Sequence, residues 1–394
     1  MQVRSGVSLS RSLRASRVPV LATLLAAAVV AAACGGARGG TSVGPIDGML
    51  PESLAPLPRA ESVRNWNELD SATAYVPMLI ATTRRGIDAE RPGFRYGTRD
   101  ANELSFGFAQ VSVPSYRVRK QGDLPRAGSG AQTDPSREAV MTSLRQADSA
   151  RFVQNLADDL ARTRSRDVLV FVHGYNSSFE DGAVRAAQVV ADMGFDGSVV
   201  YFSWPSAGEL TGYVRDQQTA RNTGFFLLKL LREIIPEARP DRIHVLAHSM
   251  GSEVLSKAVS LIDRADSLPR LAQVAFAAPD VDARVFAREI LPTLREHSAG
   301  VTLYASSEDD ALRASRVLNN VWRLGLGGDS LTVLDGMTTI DATRVRGDIL
   351  GHTLFGNPAL LSDLFDLLSH GRTPEERRLL QVRRPDGMVF WRFR

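Results

Sequence analysis

Ser249 is the residue best placed to do chemistry. It lies in the run HVLAHSMGSEVLSKAV, where the apolar segment Arg242–Leu246 reads as a strand and Ser252–Ile262 as a helix. The five residues between them are Ala247-His248-Ser249-Met250-Gly251. Small side chains at Ala247 and Gly251 suit a tight, strained turn in which anything larger would strike a neighbouring strand or helix. Such a turn lifts the hydroxyl above the strand end, and the helix that opens there offers N–H groups to a developing oxyanion. A serine in this position can also simply cap a helix. The strand before it and the amphipathic helix after it favour a nucleophile. A serine hydroxyl attacks poorly at neutral pH, so the chemistry requires a base and a group that orients the base. No spacing of His, Asp and Glu suggests a metal site, and no cofactor is implied.

A second signal stands two strand–helix units upstream, in Val170-Phe171-Val172-His173-Gly174-Tyr175-Asn176. Together the two segments resemble an α/β-hydrolase, with Ala247 in place of the first glycine of the G-x-S-x-G nucleophile elbow. The runs FVHGYNSSFEDGAVRAAQ, FSWPSAG, LAHSMGSEVL, AAPDVD and YASSEDDALRAS are similar to a bacterial branch of that fold. That branch is an esterase/lipase-like family of unknown function, and the likeness covers about residues 75–370. The resemblance implies an oxyanion hole made by the backbone N–H groups of Tyr175 and Met250, with Gly174 allowing close backbone approach. His173 precedes the serine, so it is expected to order its loop and not to act as base.

The fold places its triad in the chain order serine, acid, histidine. His297, His352 and His370 follow Ser249. His297 falls in a helix before the next strand, and His370 closes the last helix. His352 lies in a loop between the last strand and the final helix, where the base is expected. Asp309 follows the strand VTLYA and is the expected acid, with Glu308, Asp310, Asp280 and Asp282 as alternatives.

The elements that must position these residues alternate. Asp167–Val172, Ser198–Trp204, Arg242–Leu246, Ala272–Ala278 and Val301–Ala305 read as strands, and Leu331–Leu334 as a last short one. Helical patterns fill Glu180–Met193, Thr211–Ile235, Ser252–Ile262, Ala283–His297, a stretch reaching Val317, and Pro358–Leu368. Continuous apolar strands separated by helices predict a mostly parallel sheet covered on both faces, the α/β class. Upstream, Tyr75–Thr83 and Leu104–Val113 read as strands joined by a polar loop, Lys120–Pro135 as loop, and Ser136–Thr163 as helical. Only Pro279–Gly300 separates the fourth and fifth core strands, so no large lid is expected there. Walls of a cleft could come from Trp204–Tyr213, from Leu318–Ser330 or from the preface before residue 150.

Composition narrows the classes further. Of 394 residues, 44% are hydrophobic and 23% charged, which excludes wholesale disorder, collagen and coiled coil. The single cysteine, Cys34, excludes an internal disulfide, a cysteine-rich zinc cluster and a Cys-X-X-Cys redox site. Residues 1–33 carry Arg4, Arg11, Arg14 and Arg17, no acid, then an apolar run from Val18 to Ala33. That order describes a secretory signal. Ala31-Ala32-Ala33-Cys34-Gly35 resembles a bacterial lipobox, which implies lipidation of Cys34 and an envelope location, periplasm-facing or at the outer membrane. A soluble secreted or periplasmic protein is the alternative. Cutting the signal takes four arginines from the 47 basic residues and leaves 43 against 44 acidic, so the net +3 becomes −1 and no nucleic-acid partner is expected.

The expected organisation is signal peptide 1–33, flexible tether 34–60 and hydrolase domain 61–394 with its core at about 150–370. The expected function is hydrolysis of a small-molecule or lipid carboxylic ester through an acyl-enzyme. A serine peptidase or amidase is the second reading, and an inactive envelope-binding module on the same scaffold the third.

Overall fold

The computed structural model describes residues 69–70, 72–88, 94–126, 133–209, 211–262, 268–345, 352 and 354–394. The expected signal segment, Cys34 and the tether lie outside these residues. An eleven-stranded sheet organises the remainder. Its strands are β1 (Ala74–Asp88), β2 (Phe94–Val113), β3 (Val140–Ala147), β4 (Asp167–Val172), β5 (Ser198–Ser203), β6 (Arg242–His248), β7 (Leu271–Ala277), β8 (Ser298–Ala305), β9 (Thr338–Asp341), β10 (Leu380–Arg383) and β11 (Val389–Arg392). In space they run β10-β11-β9-β8-β7-β6-β4-β5-β1-β2-β3. All neighbours from β11 through to β1 are parallel, and the two edges are closed by antiparallel pairs.

Alternation along the parallel strands explains why helices cover both faces. Val168, Val170 and Val172 of β4 join one hydrophobic cluster, and Leu169 and Phe171 join the other. The first cluster takes in helices α1 (Ser149–Leu160), α3 (Tyr213–Lys229), α4 (Gly251–Ser260) and α6 (Leu291–His297). The second takes in α2 (Phe179–Met193) and α8 (Pro358–His370). Short α5 (Ala283–Val285) leads through a π turn into α6, and α7 (Asp310–Asn319) follows β8. Phe152, Leu156 and Leu160, spaced for one helical face, are all fully buried, each worth about 1.5–3 kcal/mol of apolar burial. The connection from β7 to β8 holds only α5, the π turn and α6, so no large lid sits there.

Strand order reverses beside β4, which has β5 on one side and β6 on the other. Ligands of open parallel sheets bind in the crevice at such a switch point, outside the carboxyl ends of the strands. His173-Gly174-Tyr175 leaves β4 there and Ser249 leaves β6.

Three expectations about elements are corrected. Helical spacing over Ser136–Thr163 holds only from Ser149, where Asp148 accepts the Arg151 N–H at 2.7 Å and caps α1. Val140–Ala147 instead pairs antiparallel with β2, because an open sheet edge offers backbone partners that local periodicity does not register. The polar stretch after Thr83 is largely the extended arms of the β1–β2 hairpin, with Gly86 paired to Tyr96 and Asp88 to Phe94. Its exposed face has no need of apolar residues. Leu331–Leu334 makes no ladder; Thr338–Asp341 takes the place beside β8, and the Thr339 hydroxyl donates to the Thr332 carbonyl at 2.9 Å. The chain after α8 also adds β10 and β11, which end the sheet beside β9.

Candidate active site

The turn at Ser249 is built from the backbone outward. Ser249 has φ +50°, in the left-handed region that side-chain-bearing residues reach at a cost of about 1–3 kcal/mol. Three hydrogen bonds hold it there: its N–H donates to the Ala277 carbonyl at 3.0 Å, and its carbonyl accepts the Ser252 N–H at 3.0 Å and the Asp280 N–H at 3.2 Å. Glycines on either side explain the compactness. A Cβ at Gly251 would lie 2.4 Å from the His173 carbonyl oxygen and 2.6 Å from that of Val172. Only glycine therefore lets α4 start against the end of β4. A Cβ at Gly174 would meet Ser249 Cβ at 2.9 Å and His248 Nδ1 at 3.0 Å. Ala247, fully buried, shows that the first glycine position tolerates a methyl group here.

Ser249, His352 and Asp309 come together from β6, from the segment before α8 and from the N-terminus of α7. His352 Nε2 lies 2.8 Å from Ser249 Oγ, and His352 Nδ1 lies 2.8 Å from Asp309 Oδ2. All three residues are buried. A carboxylate at Nδ1 favours the tautomer with its proton there, which leaves the Nε2 lone pair to accept the serine proton. Asp309 is itself fixed as the cap of α7, its Oδ1 accepting the Leu312 N–H at 2.8 Å. Burial pushes its carboxyl pKa up, and the His352 ring and the Leu312 N–H pull the other way.

The alternative acids have other partners. Asp310 is ion-paired with Arg313 at 2.5 Å on the surface of α7. Asp282 caps α5 by accepting the Arg284 N–H at 2.8 Å. Asp280 accepts from the Tyr213 hydroxyl at 2.7 Å and from the Ser315 hydroxyl at 2.5 Å, and Arg323 Nε lies 3.1 Å away. Among the other histidines, burial takes His173 down to about 3 and His244 down to about 4. Burial also lowers His248 well below the usual range, with His352 beside it. Burial thus favours the neutral form of all three rings.

Tyr175 stands in the loop after β4, and Met250 follows the serine at the entrance to α4. The narrow cleft over Ser249 is lined by Tyr175, Tyr213, Asp280, Ala311, Leu312 and His352. Of the expected wall segments, Trp204–Tyr213 contributes Tyr213. Its ring meets that of Tyr175 edge-on, 5.4 Å between centroids. The pairing of Asp280 with Tyr213 was not visible in the sequence: AAPDVD marks an acid at a strand end, but its partners arrive from three distant segments. Among the described residues no group of His, Cys, Asp and Glu is placed to hold a metal, and no helix is long and apolar enough to cross a membrane.

Comparison with known proteins places these features in context. Residues 148–369 match the family described as alpha/beta hydrolase of unknown function (DUF900). Solved structures that resemble the chain include a proposed cell surface hydrolase from Lactobacillus plantarum WCFS1. It is 11% identical with a TM-score of 0.30, over 55% of this chain and 96% of that one. Another is the Pyrococcus horikoshii acylaminoacyl peptidase, 12% identical with a TM-score of 0.29, over 73% of this chain and 51% of that one. No curated protein matches the chain.

Proposed function

Because this chain belongs to the alpha/beta hydrolase family of unknown function, we propose that it is a serine hydrolase cleaving carboxylic esters, with Ser249 as nucleophile, His352 as base and Asp309 as acid. The observation that carries this reading is the continuous contact from Ser249 Oγ through the His352 ring to Asp309, 2.8 Å at each step. As Oγ bonds to the ester carbonyl carbon, its proton passes to His352 Nε2, and Asp309 stabilises the resulting imidazolium. The carbonyl oxygen becomes an oxyanion held by the Tyr175 and Met250 amides, each donor worth about 3 kcal/mol to the transition state. Collapse breaks the bond to the alcohol oxygen, which takes the proton from His352. Water then attacks the acyl-serine with His352 as base again, releasing the acid and restoring the hydroxyl.

A fluorophosphonate probe attaches only to an activated serine. Labelling of Ser249 at neutral pH, together with turnover of short p-nitrophenyl esters ahead of matched peptide amides, is the expected result. Faster cleavage of the amides would favour the peptidase reading, and absence of both labelling and turnover would leave an inactive binding module.

We also propose an envelope location with Cys34 as the lipidated residue, motivated by the Arg-rich, apolar and small-residue order of residues 1–34. Cys34→Ser is expected to move the protein from the membrane fraction to the soluble fraction, and unchanged retention would count against lipidation.

A further inference from the structure

Arg84 is wholly buried near the carboxyl end of β1, outside the triad. Its guanidinium donates to oxygens of carbonyl and hydroxyl groups. Nη1 donates to the carbonyls of Gly97 and Ser206, both at 3.1 Å, and Nη2 to that of Ser177 at 2.7 Å. Nε donates to Ser203 Oγ at 2.9 Å. Ser177 belongs to the loop that carries Tyr175, and Ser203 ends β5 next to β4. A guanidinium is a costly thing to bury without a carboxylate in contact, which asks what it does there.

The answer lies in how His173 is protonated. His173 Nδ1 is 2.8 Å from the Gly174 carbonyl oxygen, and its Nε2 is 3.0 Å from the Trp204 carbonyl and 3.3 Å from Ser203 Oγ. A neutral ring has one N–H, so only one carbonyl can be served. Burial and the charge of Arg84 both keep the ring neutral. Ser203 Oγ receives the Arg84 Nε–H, so its own proton is free to turn toward His173 Nε2. That choice fills the Nε2 lone pair and leaves the proton on Nδ1, facing the Gly174 carbonyl.

The Gly174 carbonyl and the Tyr175 N–H belong to one planar peptide unit, and in a trans peptide they point in opposite directions; the described backbone contains no cis bond. Fixing one fixes the other. We propose that Arg84 is a positioning residue for the oxyanion hole: through Ser203 it selects the Nδ1–H tautomer of His173, which clamps the Gly174 carbonyl and so aims the Tyr175 N–H at the site of the developing oxyanion. This rests on the reading of Ser249 as nucleophile and Tyr175 as an oxyanion donor. It adds three residues, Arg84, Ser203 and His173, that touch no substrate.

Ser203→Ala removes the relay and leaves the three carbonyl contacts of Arg84 in place; Arg84→Lys keeps the charge and loses the fork. Each variant is to be assayed on a short p-nitrophenyl ester and on the matching thionoester. Sulfur accepts hydrogen bonds weakly, so a damaged oxyanion hole slows the ester more than the thionoester. The expected result is a kcat on the ester lowered about tenfold with KM within about twofold, and an ester-over-thionoester preference lowered about tenfold, part of the loss seen when one oxyanion donor is deleted outright. The melting temperature of Ser203→Ala should fall by only a few degrees, because the buried Arg84 Nε–H loses one acceptor while the three carbonyl contacts remain, so this variant carries the test even where Arg84→Lys fails to fold. Unchanged kcat in Ser203→Ala, or equal slowing of both substrates, overturns the relay alone. A wild-type protein that neither labels with fluorophosphonate nor hydrolyses esters overturns the serine-hydrolase reading, and the relay with it.

Discussion

Ser249→Ala is expected to lower kcat on a short p-nitrophenyl ester by roughly five to six orders of magnitude, as loss of a nucleophile does in a triad that acts as a unit. The substitution removes one oxygen from a buried position. It leaves in place the hydrogen bonds from the Ser249 N–H to Ala277 and from the Asp280 N–H to the residue 249 carbonyl, which are backbone contacts. Alanine meets the same φ of +50° with no added bulk, so the fold should survive. Loss of Oγ leaves His352 Nε2 facing a small gap in a buried site, at a stability cost of about 1–3 kcal/mol. The check is a paired measurement of hydrolysis and of thermal unfolding. A folded variant with substantial residual turnover would remove Ser249 from the mechanism, and loss of activity with loss of folding would not count as support.

Asp309→Asn is expected to lower kcat by about four orders of magnitude with little change in KM. The amide can keep the cap of α7, since its oxygen can still accept the Leu312 N–H. It cannot stabilise an imidazolium, and its NH2 group can turn toward His352 Nδ1 and force the proton onto Nε2, where it blocks acceptance from Ser249. Asp280→Asn is the informative companion. Asp280 faces the same cleft but engages Tyr213, Ser315 and Arg323, so its neutralisation should cost less than about tenfold in kcat, the scale of a perturbed wall and not of a lost acid. A larger loss in Asp280→Asn than in Asp309→Asn would reverse the two roles.

The nearness of these acids in the chain shows where sequence reading stops. Asp309 and Asp310 are adjacent, both at the start of a helix, and both plausible there by composition. What separates them is direction: successive residues entering a helix point about 100° apart, so one faces the interior and reaches His352 while the other pairs with Arg313 at the surface. Asp280 and Asp282 were equally open. Their division between the cleft wall and a helix cap depends on segments 67 and 43 residues away from Asp280, at Tyr213 and Arg323, and no local pattern registers them.

Errors in the elements have a similar origin. The core strands β4 to β8 were legible because burial on both faces demands uninterrupted apolar runs, and such runs are short and bounded by helices. β3, β10 and the outer arms of β1 and β2 carry mixed polar sequences, because an edge strand needs backbone partners more than a buried face. Their identity was set by what they pair with.

By itself the sequence determined the α/β alternation, the strand–turn–helix setting of Ser249, the His-Gly after β4 and the order of residues that could serve as a triad. These are local properties: periodicity, small side chains at a strained turn, and positions relative to strand ends. Only the tertiary structure decided which acid meets His352, that Asp280 holds Tyr213 instead, and that a buried arginine 89 residues before His173 shares its hydrogen-bond network through Ser203. Those contacts join strands and loops far apart in the chain, and a hydrogen bond of 3 Å is fixed by how the sheet brings their ends together, not by anything written beside them.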